Sequence, residues 1–260
     1  MSVAPAVVDL KNKTILITGG AGGLGTDMAA RFAQLGAQVV IVDMAVDAAQ
    51  ATAARIGHGV IAMGCDIADE KAVAQLARDV AARFPQLDAL INNAAFVDVA
   101  QDLDLLSTDL AIWDRTMDVN VRGTMLVSRA LLPQMIAGGG GSIVTIVSRQ
   151  GLAPPMSARR VAYGTSKAAL IMLARHMAVA YGKEGIRSNA VAPGTVATER
   201  MLATLSPERL AQSRANVLTP YLGEPQDISH MVAYLVSDAG RYITGQTIQI
   251  DGGVLTGLHE

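Results

Sequence analysis

Apolar runs of strand length recur along the chain at 14–18, 38–43, 60–66, 89–92, 142–147, 187–192 and 247–250, most of them rich in Val and Ile. Runs without polar alternation belong to strands buried on both faces. Between them lie segments of helical period, among them 24–35, 71–84, 112–135 and 163–181. The alternation predicts an α/β Rossmann fold, a doubly wound parallel sheet of about seven strands with helices on both faces. Such sheets bind ligands beyond the carboxyl ends of their strands, where strand order reverses. Placed there are the glycine-rich residues 19–25, then Asp43, Asp66, Asn92 and Ser148 at the ends of the next four strands.

Composition changes this picture little. With 260 residues, 51% hydrophobic and 17% charged, the chain can bury one large core, and no linker or repeat divides 1–260 into more than a single domain. A net charge of −2 with mixed signs offers no surface for nucleic acid, so a small-molecule partner is expected. The single cysteine excludes an internal disulfide framework, and no Cys/His cluster has zinc-ligand spacing, so no metal is expected. Cys65 reads as a buried filler. The first dozen residues show no targeting pattern and no run reaches membrane-spanning length, which predicts a cytoplasmic protein.

Chemistry enters with three features. The run Thr18-Gly19-Gly20-Ala21-Gly22-Gly23-Leu24-Gly25 follows a strand and opens a helix, the context in which glycines let the backbone approach a pyrophosphate at a helix amino terminus. Asp43 ends the second strand, where a carboxylate accepts hydrogen bonds from both ribose hydroxyls of an adenosine and repels a 2′-phosphate; neither Gly22 nor Met44 supplies a basic group, which favours NAD over NADP. Tyr163 and Lys167 stand one helical turn apart, and an ammonium at that spacing favours the phenolate.

Several motifs in order carry a resemblance to the classical short-chain dehydrogenase/reductase family, from about residue 14 to residue 253. They are Thr18, Gly19, Gly23 and Gly25 of the glycine motif, Asn92-Asn93-Ala94-Ala95 with Ala95 in place of the usual Gly, and Asn120 in Met117-Asp118-Val119-Asn120. Ser148 closes a Val/Ile strand, Tyr163 and Lys167 form the Tyr-x-x-x-Lys pair, and Asn189-Ala190-Val191-Ala192-Pro193-Gly194 with Thr198 resembles the nicotinamide-side loop. Thr244-Gly245-Gln246 and Asp251-Gly252-Gly253 resemble the carboxyl-terminal signature.

The resemblance implies an NAD-dependent oxidoreductase that interconverts a secondary alcohol and a ketone. Tyr163 would be the general acid/base, Ser148 would hydrogen-bond the reacting oxygen, Lys167 would lower the Tyr163 pKa and hold the nicotinamide ribose, and Asn120 would anchor a relay water. The cofactor residues it implies are Gly19, Gly23, Leu24, Gly25, Asp43, Asp66, Ile67, Asn92, Tyr163, Lys167, Pro193, Gly194, Val196 and Thr198. Substrate contacts would come from Ser148, Gln150 and Tyr163, with Arg149 a further candidate for an anionic substrate and Arg159 and Arg160 given less weight. Residues 198–222 fall where the family carries a substrate lid, with Met201, Leu202, Leu205 and Leu210 at roughly helical spacing. A homotetramer is implied by analogy, with the tail 254–260 as one candidate contact. Two other readings remain open: a 3-oxoacyl carrier-type ketoreductase, which Asp43 and the missing basic patch disfavour, and a non-catalytic NAD-binding sensor or scaffold, which the intact Ser148, Tyr163 and Lys167 disfavour.

Overall fold

The computed structural model describes residues 8–155 and 157–256, so the last four residues of the carboxyl-terminal tail lie outside the described residues. The first half runs β1 (Thr14–Thr18), α1 (Gly23–Gln34), β2 (Gln38–Asp43), α2 (Val46–Ile56), β3 (Ile61–Gly64), α3 (Glu70–Arg83) and β4 (Ala89–Asn92). There follow α4 (Leu110–Met117), a π-helical turn (Asp118–Gly123), α5 (Thr124–Ala137), β5 (Gly141–Ile146), a 3-10 turn (Arg149–Gly151) and α6 (Val161–Tyr181). The remainder is β6 (Ile186–Pro193), α7 (Glu199–Thr204), α8 (Pro207–Ala215), α9 (Pro225–Val236) and β7 (Thr247–Ile250).

Among the described residues seven strands form one parallel sheet, in the order β3-β2-β1-β4-β5-β6-β7. Side chains alternate across each strand, so Ile15, Ile17, Val39, Ile41, Ile91 and Val144 enter one core with Met28 and Phe32 of α1 and Ile228 and Val232 of α9. Leu16, Val40, Val42, Leu90 and Ile143 enter the other, against Val73, Leu76 and Val80 of α3 and Val127 and Leu131 of α5. Both faces are covered, which is why the strands read as unbroken apolar runs.

The strand order reverses between β1 and β4, which opens a crevice at their carboxyl ends. Thr18 and Asn93 stitch its floor. The Thr18 hydroxyl accepts the amides of Asn93 and Ala94 at 3.0 and 3.1 Å, while Asn93 Nδ2 donates to the carbonyls of Thr18 and Gly19 at 2.9 and 3.0 Å.

Three departures from the sequence reading matter to the site. The segment 112–135, read as one helix, is divided by the π-helical turn. Helices α2 and α9, which the sequence pattern did not single out, cover the sheet edge at β3 and the face against α1. The segment 198–222 forms two short helices, α7 and α8, closed at their base by a bridge between Val196 and Gly223 and by the Ala197 amide donating to the Gly223 carbonyl at 2.7 Å.

Candidate active site

The glycine turn is built for a close approach. Gly19 has φ +66°, and a Cβ there would lie 2.8 Å from Ala94 Cα; a Cβ on Gly25 would lie 2.9 Å from Asn93 Nδ2 and closer still to the Gly19 carbonyl. Side chains are thus sterically excluded at both positions, and the turn passes directly into α1, whose N-cap Gly22 contributes no capping side chain. The first amides of α1 are left for a ligand. Asp43 reaches back to the same turn, its Oδ2 accepting the Ala21 amide at 3.2 Å and its Oδ1 the Ala45 amide at 3.1 Å.

The other expected cofactor residues rim this crevice unevenly. Leu24 lies in the first turn of α1 and is half-buried, and Ile67 is buried beneath Gly123 of the π-helical turn. Asp66 stands just past β3, accepting the Ala68 amide at 3.0 Å, with Arg115 at 3.8 Å. The Asn92 side chain turns inward, donating to Ser128 Oγ at 3.0 Å and leaving its Oδ1 buried without a protein partner. Across the crevice, Pro193 ends β6 and the Gly194 amide donates to the Ile250 carbonyl at 2.9 Å. Thr198 caps α7, accepting the Met201 amide at 3.2 Å, and its Cγ2 would lie 3.2 Å from a Cβ on Gly23. Val196 and Thr198 therefore bring the segment 198–222 over the start of α1. Val217 and Leu222 of that segment bury against Val254, with Met201 and Leu210 packed on them.

Ser148, Tyr163 and Lys167 converge because two small residues let the 3-10 turn lie on α6. A Cβ on Gly151 would come within 2.7 Å of the Lys167 carbonyl carbon, and one on Gly164 within 3.2 Å of the Gln150 carbonyl oxygen. Ser148 begins that turn, its hydroxyl accepting the Gln150 amide at 3.2 Å and pairing with the Tyr163 phenol. Lys167 is 2% exposed, and its Nζ donates to the Ile146 carbonyl at 2.9 Å while standing 5.5 Å from the centre of the Tyr163 ring. An ammonium has three protons to donate. One goes to Ile146, so the others suit hydroxyls brought by a ligand.

The protonation states differ from the expectation drawn from spacing. Burial pushes the Tyr163 phenol above its ordinary value, opposed by its hydrogen bond with Ser148 and by the charge of Arg160. Burial also pulls Lys167 down to about 8. Desolvation, which acts on each group separately, outweighs the pair attraction that spacing alone suggested. Arg160 is close enough to act on both Tyr163 and Arg149. Arg149 is itself lowered, chiefly by burial, with Asp251 opposing and Arg160 adding to the shift.

Asn120 is fully buried in the π-helical turn. Its Oδ1 accepts the Phe96 amide at 2.7 Å, and its Nδ2 donates to the Phe96 carbonyl and to Ser166 Oγ, both at 3.0 Å. The amide group is occupied by protein partners, so a relay water would meet this residue through backbone atoms of the turn. Gln150 is half-buried, with Oε1 enclosed and unpartnered. One residue of this region carries no signal in the sequence: Asp102, in the loop after β4, buried against the start of α6. Among the described residues no cluster of three or more His, Cys, Asp or Glu could hold a metal ion, and no helix is long and apolar enough to cross a membrane. The Cys65 thiol, buried and beside Asp66 and Asp69, is pushed up to about 11, as suits a packing residue.

A parallel sheet with a glycine turn at its switch point, facing a Ser, Tyr and Lys on the neighbouring elements, defines a dinucleotide-fold oxidoreductase architecture. The sequence profile described as enoyl-(acyl carrier protein) reductase matches residues 19–255, and the chain belongs to the classical short-chain dehydrogenase/reductase family. It is 42% identical to a probable short-chain type dehydrogenase/reductase of Bradyrhizobium diazoefficiens, across 94% of this chain and 88% of that one. It is 36% identical to a 7α-hydroxysteroid dehydrogenase of Bacteroides fragilis, across 94% and 95% of the two chains. Among solved structures, a 7α-hydroxysteroid dehydrogenase complexed with NADH and 7-oxo glycochenodeoxycholic acid superposes with a TM-score of 0.86 at 31% identity, covering 95% of each chain.

Proposed function

We propose that this protein is an NAD-dependent dehydrogenase that interconverts a secondary alcohol and a ketone, with Tyr163 as the general acid/base. The observation that carries the reading is the convergence of Ser148, Tyr163 and the buried Lys167 beside the crevice that the glycine turn and Asp43 line. The cradle fits a dinucleotide: side chains are excluded from Gly19 and Gly25, the first amides of α1 have no side-chain cap, and a carboxylate stands where a ribose would lie. When bound, the nicotinamide supplies the hydride acceptor or donor.

The chain's own groups handle the proton. Ser148 and Tyr163 direct two hydroxyls at one oxygen of the substrate. Tyr163 as phenolate takes the hydroxyl proton during oxidation, or as phenol gives it back during reduction. Lys167, held by the Ile146 carbonyl, keeps positive charge beside the ring and offers its remaining protons to ribose hydroxyls. Asn120 ties the loop after β4 to α6 and so fixes the floor on which the reaction takes place. The matched profile is named for reduction of an enoyl double bond. Two hydroxyls converging on one position suit an oxygen on which charge develops during hydride transfer; the carbonyl/alcohol reading is favoured by the dehydrogenases among the relatives.

The NAD preference rests on Asp43, whose carboxylate would meet a 2′-phosphate with like charge. Asp43→Ala should weaken NAD by about tenfold or more, the scale of hydrogen bonds to a charged group. It should also narrow the NAD-to-NADP ratio of kcat/KM; an unchanged ratio would move the selectivity elsewhere. Met172 and Val179, exposed on α6, support a homotetramer in which this helix packs between subunits. Light scattering on the purified protein tests it.

The substrate test is NADH formation with cholate, D-threitol, D-sorbitol, 3-hydroxybutyrate and cyclohexanol. The relatives' 7α-hydroxysteroid activity favours cholate, and Arg149 favours the carboxylates over the neutral alcohols. Arg149→Gln should then raise KM for the carboxylates about tenfold while leaving neutral alcohols unchanged; equal effects on both sets would remove Arg149 from the substrate site. No turnover of any member with NAD or NADP, in a folded protein that binds NADH, would overturn the catalytic reading in favour of a non-catalytic binder.

A further inference from the structure

The start of α6 lacks the capping that a helix ordinarily supplies for itself. An N-cap residue takes an extended backbone and, through its side chain, bonds the amide of the second or third helical residue. Here the N-cap is Arg160, held left-handed at φ 68° and ψ 45°, and its side chain caps nothing. Four amides at a helix amino terminus have no partner within the helix. All those of α6 are nevertheless satisfied, and by two residues of the loop between β4 and α4. The Arg160 amide donates to the Asp102 carbonyl at 3.1 Å and the Val161 amide to the Leu103 carbonyl at 3.2 Å. The Ala162 amide donates to Asp102 Oδ1 at 3.0 Å and the Tyr163 amide to Asp102 Oδ2 at 2.9 Å. From Gly164 onward the helix bonds itself.

Asp102 is thereby distinguished from the other aspartates of its loop. Asp98 and Asp104 hold amides two or three residues ahead of themselves, as aspartates in turns commonly do, and stay near the surface. Asp102 is 1% exposed and reaches across 60 and 61 residues of sequence to grip the amide of Tyr163 itself. Both oxygens of its carboxylate are used. A carboxylate at the positive end of a helix, accepting two amides, is a charge-assisted and directional hold.

We infer that Asp102 is a positioning residue for the reaction: it acts as the N-cap of α6 in place of Arg160 and fixes the register of the Tyr163 phenol against Ser148. This rests on Tyr163 being the acid/base. Proton transfer requires hydrogen-bond reach, and displacements of about 1 Å can cost on the order of a hundredfold in rate. Asn at position 102 keeps the shape and one acceptor but leaves one amide of the pair without a partner, and Ala removes both acceptors.

The test uses the full chain with whichever of the five alcohols above turns over fastest. Asp102→Asn should lower kcat tenfold or more while KM and the dissociation constant for NADH stay within threefold, and Asp102→Ala should lower kcat further. Asp104→Asn, whose carboxylate holds only its own turn, should retain wild-type turnover. The alkaline absorbance titration of tyrosinate, taken as wild type minus Tyr163→Phe, should shift in Asp102→Asn, because the phenol is no longer held against Ser148. A kcat for Asp102→Asn within twofold of wild type overturns the assignment. So does a variant that fails to fold or loses NADH binding in proportion to turnover, since Asp102 would then be general scaffold. Wild-type turnover by Tyr163→Phe would instead overturn the underlying catalytic reading, and the two failures are read from different proteins.

Discussion

Tyr163→Phe should lower kcat for alcohol oxidation by about a thousandfold, within the range general acid/base catalysis ordinarily supplies. The variant removes one oxygen and little else. The Tyr163 amide still donates to Asp102, the ring still lies 5.5 Å from Lys167 Nζ, and the buried surroundings receive an apolar ring at least as well as a phenol. Folding and NADH affinity should therefore stay within about threefold of wild type, which separates loss of chemistry from loss of structure. NADH binding can be followed by its fluorescence and turnover by its absorbance. Turnover near the wild-type level would remove Tyr163 from the proton path and leave Ser148 and Lys167 without a group to activate.

Much of this arrangement could be read from the residues, for reasons that differ from element to element. The strands were legible because parallel strands buried on both faces need uninterrupted Val and Ile, as in Gln38–Asp43, where the four central positions are buried. The glycine turn was legible because its requirement is negative: no side chain fits at Gly19 or Gly25, and few sequences concentrate glycine between a strand and a helix. Ser148, Tyr163 and Lys167 were legible as a set, although their meeting depends on Gly151 and Gly164, which the motif does not include.

What escaped the sequence is tertiary. The π-helical turn at Asn120 is composed of residues that continue a helical period, so nothing local marks the break between α4 and α5. Asp102 resembles Asp98 and Asp104 in every local respect and differs only in what lies opposite it after folding. Arg160 looked like a loop charge because its influence on Tyr163 and Arg149 arises from a left-handed turn that precedes α6. The Tyr163 phenol shifts opposite to what its spacing from Lys167 suggests, because spacing reports the partner charge and says nothing of burial, the largest cause here.

Lys167→Met should move activity and stability in opposite directions. Turnover should fall about a hundredfold or more, since the charge beside Tyr163 and the donors for a ribose are lost together. Stability at pH 7 should rise. A lysine ordinarily titrates at 10.5 and this one at about 8, so the folded chain releases the proton across a window in which the unfolded chain keeps it. Below pH 8 both states are charged and the folded state carries the full cost of the buried ammonium, on the order of 3 kcal/mol. As pH rises from 8 to 10.5 that cost is relieved, so the Lys167 contribution to stability increases with pH. Cys65 acts in the opposite sense: its folded value of about 11 lies above the ordinary 9.0, and its contribution is lost as pH climbs between them. Wild-type stability alone would mix the two, whereas the difference between wild type and Lys167→Met at each pH cancels Cys65 and isolates Lys167. Methionine leaves the Ile146 carbonyl unpaired, which offsets about 1 kcal/mol of the gain. Urea unfolding should thus show the variant more stable by about 2 kcal/mol at pH 7, with the gap closing as pH approaches 10.5. A variant that is less stable than wild type at pH 7 would mean that the ammonium is better solvated than its 2% exposure implies, and the buried cation would lose its place as the group kept for ligand binding at a cost to the fold.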